Sequence, residues 1–286
     1  MPEVKLKTAL AVVAVLSGTV MVAGCGGLRS AGANGLLHPA RRAMDPTVRQ
    51  THPQATFAGA DVVLAGWRFP ARGARRGTVV YLHGIADNRG SGLSAALRLS
   101  ARGFDVVAYD SRAHGASGGE ICTYGFYEKR DLQRVLDVLE SGPVIVIGSS
   151  LGGAVALQAA AEDARISAVI AAESFSDLRT VAAERAPWFF TAKTISQALA
   201  LAEKQGSFQI DAVSPRDSAR RINVPVLLIH GALDHETPPD HSRRIFDSLG
   251  GRRRLLLVEG AGHNQSLQTS SVWSEIESWI ESVLGE

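Results

Sequence analysis

The chain has 286 residues and is poor in several features that define particular protein classes. Its two cysteines, Cys25 and Cys122, are too few for a small fold held together by disulfides. Thirty Lys and Arg residues nearly balance 28 Asp and Glu residues, so no excess of positive charge would attract nucleic acid. The apolar run near the N-terminus, Ala9–Val22, has about 14 residues and is short for a bilayer-spanning helix.

Metal-ligand spacing is also missing from the sequence. None of the candidate histidines falls in a pattern such as His-Glu-x-x-His; these are His83, His114, His230, His235 and His241. We therefore expect no metal and no organic cofactor. The hydrophobic content of 45% is enough for one large α/β core, so a single domain is the first expectation.

The first 24 residues have the layout of a secretion signal. Lys5 and Lys7 precede the apolar run Ala9–Val22, and small residues then lead to Cys25. This layout resembles the bacterial lipoprotein signal, which implies cleavage before Cys25 and acylation of that cysteine. An uncleaved anchor helix and an ordinary secretory signal are the alternatives. The short run argues against the first, and Cys25 argues against the second.

Acylation of Cys25 would hold the protein on the extracytoplasmic side of a bacterial membrane, in the cell envelope. Removal of residues 1–24 takes away two lysines and one glutamate and leaves 28 basic and 27 acidic residues. Cys122 is then the one other cysteine, so no intramolecular disulfide is expected. We interpret residues 25–58 as the lipidated cysteine with a flexible tether, because they lack periodicity, and residues 59–286 as the folded domain.

From residue 62 onward, strand-like apolar runs alternate with helical patterns. The predicted strands are Val62–Phe69, Thr78–His83, Phe104–Tyr109, Val144–Ile147, Ile166–Ala172, Val224–His230 and Arg254–Glu259. The predicted helices are Ser94–Arg102, Phe126–Glu140, Ala154–Glu162, Asp240–Leu249 and Ser271–Leu284. This alternation predicts an α/β fold with a mostly parallel central sheet and helices on both faces. The first two strands, separated by a Gly/Arg turn, are predicted to form an antiparallel hairpin.

Gly148–Gly152 has the pattern Gly-x-Ser-x-Gly, with Ser150 at its centre. A sharp turn from a strand into a helix would expose the Ser150 hydroxyl and place the Leu151 N–H at the helix N-terminus, where it can donate to an oxyanion. The pattern therefore predicts Ser150 as a nucleophile and Leu151 as an oxyanion-hole residue. The alternative interpretation is a Gly/Ser-rich turn with a packing role only.

Ile85 is predicted to supply the second oxyanion N–H. It follows the strand that ends at His83, and Gly84 is expected to let this loop approach the serine. We interpret His83 as a residue that fixes the loop by hydrogen bonding, and not as the catalytic base.

The acid and the base are predicted in the loops after two later strands. Asp234 follows the strand Val224–His230, at the sheet edge where ligands bind, and is predicted to orient a histidine. Glu173, at the end of an earlier strand, is the alternative acid, and Asp234 would then be an ordinary turn aspartate. His263 lies in the loop after the last strand, where no helix or strand face is available for packing, and is the predicted base.

These features together resemble the serine α/β-hydrolase superfamily, in which nucleophile, acid and histidine follow one another in this order. The resemblance covers about residues 61–284. The loop Asp110–Ser117 is similar to an Asp-x-Arg-x-His-Gly-x-Ser loop of that family, which structures the edge of the site, so His114 is not taken as catalytic. The strand from Val62 to Trp67 and the approach to Asp234 are similar to the esterase/lipase and serine-aminopeptidase-like branch, with its lysophospholipase-like and monoacylglycerol-lipase-like members.

Residues 175–217 interrupt the alternation and include the aromatic stretch Pro187–Phe190. They form either a short helical lid over the carboxyl edge of the sheet or an elongated crossover helix. Their aromatic side chains either line an acyl or aryl pocket or pack the segment onto the core.

The resemblance implies an envelope-anchored serine hydrolase that cleaves carboxylic esters or thioesters through an acyl-enzyme. Its substrate would be a small-molecule or lipid-like acyl compound, and its contact with the membrane would be the lipid anchor. The alternatives are a peptidase or acyltransferase with the same triad, and a non-catalytic envelope binding module on the same fold.

Overall fold

The computed structural model describes residues 25–50 and 52–285. The predicted signal segment, residues 1–24, lies outside the described residues. Within the described ranges, no helix is long and apolar enough to cross a bilayer.

The described chain contains one eight-stranded sheet. Its strands are β1 (Gln54–Ala58), β2 (Val63–Phe69), β3 (Gly77–Leu82), β4 (Phe104–Tyr109), β5 (Val144–Ser149), β6 (Ile166–Ala172), β7 (Val226–Gly231) and β8 (Arg253–Val258). The spatial order is β1-β2-β4-β3-β5-β6-β7-β8. β1 and β2 pair antiparallel, as do β2 and β4, and all the other pairs are parallel. The predicted α/β fold with a mostly parallel sheet is confirmed.

Ten α-helices connect or flank these strands in the described ranges. They are α1 (Cys25–Leu37), α2 (Pro46–Gln50), α3 (Leu93–Ser100), α4 (Glu128–Leu136), α5 (Leu151–Ala160), α6 (Leu178–Glu184), α7 (Ala192–Gly206), α8 (Pro215–Ala219), α9 (Asp240–Ser248) and α10 (Ser270–Leu284). The helices that the alternation predicts are present, with ends that differ by a few residues.

Both faces of the sheet are buried. Every residue of β3, β5 and β7 is buried, as expected for central parallel strands rich in Val, Ile and Leu. Helices α4, α5, α8 and α9 pack on one face, and α3 and α10 pack on the other. This packing fixes the carboxyl ends of the strands, from which the loops of the candidate site emerge.

The predicted hairpin between the first two strands is wrong. β2 pairs with β1 on one side and with β4 on the other, and β4 lies between β2 and β3. The real hairpin is β1–β2, closed by a hydrogen bond of 2.8 Å from the Gly59 N–H to the Val62 carbonyl. After β2, the Gly/Arg turn takes the chain to β3, on the far side of β4. Strands that follow one another in sequence need not pair, because pairing also depends on how their side chains are buried across the sheet.

The interpretation of residues 25–58 as a flexible tether also needs correction. Residues 25–37 form helix α1, and β1 begins at Gln54, before the predicted domain start at residue 59. Ala33 and Leu37, one helical turn apart, are fully buried, and the Leu37 carbonyl accepts a 2.8 Å hydrogen bond from the Cys122 N–H. Tertiary packing thus orders a segment whose Gly- and Ser-containing sequence has little helical periodicity.

The segment 175–217 is a helical insertion and not one long crossover helix. It contains α6, α7 and the first residues of α8, and a loop separates α6 from α7. Helices α1, α6 and α7 share an apolar cluster that includes Leu37, Val181 and Leu199. At Gly32 of α1 a Cβ atom would lie 2.9 Å from the Ala198 Cβ, so the missing side chain lets α1 and α7 approach closely. Together these helices cover the carboxyl edge of the sheet next to Ser150, and we call them the roof helices.

Candidate active site

Ser150 lies in a sharp turn between β5 and α5. Its backbone has φ 49° and ψ −110°, a strained conformation for a residue with a side chain, and its N–H donates to the Ala172 carbonyl at 2.7 Å. A Cβ atom at Gly148 would lie 2.2 Å from backbone atoms of Gly152, and one at Gly152 would lie 2.2 Å from the Leu82 carbonyl oxygen. The two glycines of the motif are therefore required by sterics.

His263 lies within hydrogen-bond reach of the serine. Its Nε2 atom is 3.0 Å from the Ser150 Oγ, although 113 residues separate the two in sequence. The loop that carries the histidine is held to the serine turn by its neighbour Asn264, which has φ 58° and whose Oδ1 accepts a 2.8 Å hydrogen bond from the Ser149 hydroxyl. The structure thus brings together the predicted nucleophile and the predicted base.

Asp234 orients the other nitrogen of the histidine. Its Oδ2 atom lies 2.7 Å from His263 Nδ1, and its Oδ1 atom accepts the N–H groups of Glu236 and Thr237, each at 2.9 Å. Because Nδ1 faces a carboxylate, it carries the proton, so the lone pair of His263 is on Nε2, the nitrogen that faces the Ser150 hydroxyl. All three predicted triad residues therefore form one hydrogen-bonded chain.

A second histidine also contacts the acid. His230 Nε2 lies 3.2 Å from Asp234 Oδ2 and 2.7 Å from the Thr237 carbonyl, and its Nδ1 lies 2.6 Å from the Ser242 hydroxyl. Burial by itself would raise the pKa of Asp234, but hydrogen bonds from His230, His263 and the Thr237 N–H outweigh it and hold that pKa well below its usual value. The carboxylate is therefore ionised wherever the protein is folded near neutral pH.

Glu173, the alternative acid, has a different place in the structure. It is fully buried, has φ 49°, and its Oε1 accepts the Ser266 N–H at 3.0 Å; no hydrogen bond joins it to His263. Burial raises its pKa, an effect that the Ser266 hydrogen bonds partly offset. Glu173 thus contacts the loop that follows the histidine, and Asp234 is the carboxylate that contacts His263.

Leu151 and Ile85, the predicted oxyanion-hole residues, both line the cavity at Ser150. Leu151 is the first residue of α5, where a backbone N–H has no partner within the helix. The expected role of Gly84 is not supported, because a Cβ atom there would lie 3.5 Å from the Ser150 Cβ, an ordinary contact. The adjacent turn instead contains Ala86, which has φ 53°.

His83 and His114 lie side by side in the interior. Both are fully buried, and their rings pack at 5.1 Å between centroids. His83 Nε2 accepts the Ser111 N–H at 2.9 Å, and His114 Nδ1 lies 2.8 Å from the Arg112 carbonyl. Burial lowers the pKa of His83, and burial with the neighbouring His83 lowers the pKa of His114 to about 4. The prediction that His83 fixes its loop is consistent with these contacts.

A cavity of about 260 Å³ opens beside Ser150. Its wall is mostly apolar and comes from the roof helices and the strand-end loops. The side chains that form it include Leu36, Phe175, Leu178, Val181, Phe190 and Leu199. Of the aromatic stretch, Phe190 lines the cavity, whereas Trp188 is 94% exposed. Of the two alternatives for these aromatic side chains, pocket lining therefore applies to Phe190.

No role in the site is predicted from the sequence for three residues that lie near Ser150, His263 and Asp234; these are His230, Asn264 and Arg185. His230 lies near the end of β7, four residues before Asp234, and this spacing is a usable signal for the first. Asn264 follows the base directly, but its contact with Ser149 spans 115 residues. Arg185 lies in the insertion, and its guanidinium reaches within 3.3 Å of His263 Nε2 through a fold that no local pattern encodes.

The comparisons with known families agree with the observed fold. Residues 77–200 match the sequence model of the alpha/beta hydrolase fold, and residues 202–282 match that of TAP-like proteins. The chain has the α/β-hydrolase fold. A solved esterase of this fold, Pf2001 of Pyrococcus furiosus, superposes with a TM-score of 0.68 at 23% identity, over 87% of this chain and 98% of that one.

Two further proteins are similar to parts of this chain. A monoacylglycerol lipase of Paleococcus ferrophilus superposes with a TM-score of 0.59 at 22% identity, over 78% of this chain and 98% of the lipase. The uncharacterized protein YqkD of Bacillus subtilis is 30% identical over 202 residues, which is 66% of this chain. That match spans 65% of YqkD, just under two thirds of its length.

Within the described ranges of this chain, no cluster of three or more His, Cys, Asp or Glu residues is arranged to hold a metal ion.

Proposed function

We propose that the protein is a serine hydrolase that cleaves carboxylic ester or thioester bonds. The observation that carries the proposal is the continuous chain from Ser150 through His263 to Asp234, with contacts of 3.0 and 2.7 Å, at the wall of an apolar cavity. A structural role alone gives no reason for a strained serine whose hydroxyl meets an imidazole beside an open cavity.

The steps of the proposed reaction follow from the contacts of His263 with Ser150 and with Asp234. Ser150 Oγ attacks the substrate carbonyl while its proton moves to His263 Nε2, and the ionised Asp234 stabilises the imidazolium that results. The N–H groups of Ile85 and Leu151 donate to the oxyanion of the tetrahedral intermediate. The imidazolium then protonates the leaving group, and a water activated by the same histidine hydrolyses the acyl-enzyme.

The cavity supports an acyl group as the part of the substrate that enters. Its apolar wall offers hydrocarbon contacts, and burial of each CH₂ contributes about 0.8 kcal/mol. The esterase and the monoacylglycerol lipase that share the fold act on compounds of this kind, as their names state. We therefore propose a small-molecule or lipid-like acyl substrate.

We further propose that the protein is anchored at the cell envelope through an acylated Cys25. Cys25 is the first residue of α1, and the same helix contributes Ala31, Gly32 and Leu36 to the cavity. An anchor at this position would hold the roof of the cavity near the membrane surface, with the exposed Trp188 on the neighbouring loop.

Labelling with an uncharged alkyl fluorophosphonate tests the hydrolase proposal. The full chain should be labelled, and Ser150→Ala should lose the label. Ser176→Ala is the matched control, because Ser176 Oγ also contacts a histidine, His241 Nδ1, at 2.8 Å, but is fully buried and does not line the cavity. Folded wild-type protein without labelling, or labelled Ser150→Ala, would contradict the proposal.

Incorporation of an alkyne-tagged fatty acid in the bacterium tests the anchor. The wild-type chain and Cys122→Ala should incorporate the tag, and Cys25→Ala should not. Equal incorporation by Cys25→Ala would remove the lipoprotein interpretation and leave the hydrolase proposal untouched.

A further inference from the structure

Arg185 follows helix α6 and extends toward the triad. Its Nε donates to the Glu236 carbonyl at 2.9 Å, and its Nη2 donates to the Thr237 hydroxyl and lies 3.3 Å from His263 Nε2. Arg185 also lines the cavity together with Ser150. The lid thus places a permanent cation beside the reacting serine and histidine.

This cation is alone in an otherwise uncharged cavity. Every other described residue that lines the cavity is neutral, and the polar ones among them are Ser150 and Tyr124. The oxygen atoms that Arg185 contacts are a carbonyl and a hydroxyl, and no carboxylate of the described residues forms an ion pair with it. Its Nη1 has no hydrogen-bond partner among the described residues. Donors therefore remain free for a ligand.

The contact of Arg185 with His263 Nε2 competes with the transfer of the Ser150 proton to that nitrogen. An arginine cannot be deprotonated at any pH that the protein survives, so its contact with His263 Nε2 uses the lone pair that must accept the Ser150 proton. Once His263 has become an imidazolium, two cations would face each other at short range. A bound anion would neutralise the guanidinium and draw it away from the imidazole.

We propose that Arg185 binds an anionic group, a carboxylate or a phosphate, that the substrate carries close to its scissile carbonyl. This inference rests on the proposed hydrolase function and names its substrate class: an ester with an apolar acyl chain and an anion on the leaving-group side. The planar guanidinium suits both anions, because each offers two oxygens to parallel N–H donors.

Three esters that share the same octanoyl group and differ in their alcohol part test the proposal. They are the ester of glycerol, which is neutral, the ester of glycerol 3-phosphate, and the ester of glycolate, which carries a carboxylate. For the full chain we expect kcat/KM for at least one anionic ester to exceed that for the neutral ester about tenfold or more, mainly through KM. The anionic ester that is preferred identifies the group.

Variants assign the effect to this residue. Arg185→Gln should abolish the preference, and Arg185→Lys should retain part of it as a point charge. Arg179→Gln is the matched control, because Arg179 lies on the same helix but pairs with Asp211 at the exposed surface. Its charge preference should equal that of the wild type.

Two results would overturn the inference. One is an equal kcat/KM for neutral and anionic esters in the wild type, and the other is a charge preference that survives in Arg185→Gln. Labelling of the wild type by the uncharged fluorophosphonate separates this failure from failure of the hydrolase proposal. If the protein is labelled but shows no charge preference, only the proposed role of Arg185 is contradicted. If the folded protein is not labelled, both proposals are contradicted.

Discussion

His263 Nδ1 and Asp234 Oδ2 lie 2.7 Å apart, and the same carboxylate oxygen lies 3.2 Å from His230 Nε2. Two imidazoles therefore share one acceptor, while backbone N–H groups saturate the other carboxylate oxygen. The carboxylate is fixed on all sides, so the imidazole that reaches Ser150 has one orientation and one tautomer.

This arrangement predicts different outcomes at the two candidate acids. Asp234→Asn removes the charge that stabilises the imidazolium and gives His263 Nδ1 a donor in place of an acceptor, so kcat for an octanoyl ester should fall by about 10³–10⁴-fold. Glu173→Gln keeps an oxygen that can accept the Ser266 N–H, and kcat should stay within about tenfold of wild type. An active Asp234→Asn together with an inactive, folded Glu173→Gln would reverse the assignment.

The glycines around the serine give a prediction about stability. A Cβ atom at Gly152 would lie 2.2 Å from the Leu82 carbonyl oxygen, so Gly152→Ala must displace β3 or α5 and should cost about 3 kcal/mol in the free energy of unfolding. Gly84→Ala is the matched control in the facing loop, because its Cβ meets the nearest atom at 3.5 Å and should cost less than about 1 kcal/mol. Urea denaturation measures both variants. Equal losses would mean that the loop at Gly84 is as tightly constrained as the serine turn.

Much of the fold could be predicted because the central strands have a strong local signal. β4 and β6 are predicted to the residue, since each is a mostly apolar, mostly buried run bounded by turns. The strand β1, with the sequence QATFA at the sheet edge, has no such signal. Its formation depends on pairing with β2, and the wrong hairpin follows from its omission.

Helix α1 shows the same limit. Its sequence contains four glycines between Cys25 and Leu37, and glycine is unfavourable inside a helix. The helix is stabilised by contacts with α7 and with the loop at Cys122, which are distant in sequence. Local composition therefore predicts a tether where tertiary packing gives a helix.

The candidate site divides along the same line. Ser150, Asp234 and His263 could be predicted because each follows a strand, and the carboxyl ends of parallel strands meet at one edge. Arg185 comes from the insertion, and its distance to His263 depends on how α6 packs over the sheet. The sequence therefore predicts site residues that follow parallel strands. It does not predict a site residue whose position depends on the packing of the lid.

The lowered pKa of His114 predicts that the folded protein is less stable in acid. Its folded-state pKa of about 4 is below the value of about 6.5 in an unfolded chain, so protons bind the unfolded state preferentially between these pH values. The free energy of unfolding should therefore fall as the pH drops from about 6.5 to about 4, by about 3 kcal/mol from this residue alone. The loss should be smaller by this amount in His114→Asn, whose amide N–H₂ can still donate to the Arg112 carbonyl. Urea denaturation at pH 7, 5.5 and 4.5 measures the difference, and parallel pH profiles for the two proteins would contradict it.

The packing of α1 predicts slow amide hydrogen exchange in a segment whose composition suggests a flexible linker. Amides of residues 29–37 should exchange far more slowly than in an unfolded chain, because Leu37 is fully buried in the cluster shared with α7. Leu37→Ala removes that contact at a cost of about 2–5 kcal/mol and should release the helix, so protection of these amides should be lost first. Asn34→Ala is the control on the same helix, since its side chain is exposed and its backbone carbonyl, which accepts the His38 N–H, is unchanged. Hydrogen–deuterium exchange followed by mass spectrometry gives the answer, and unprotected amides in the wild type would restore the tether interpretation and remove α1 from the roof of the cavity.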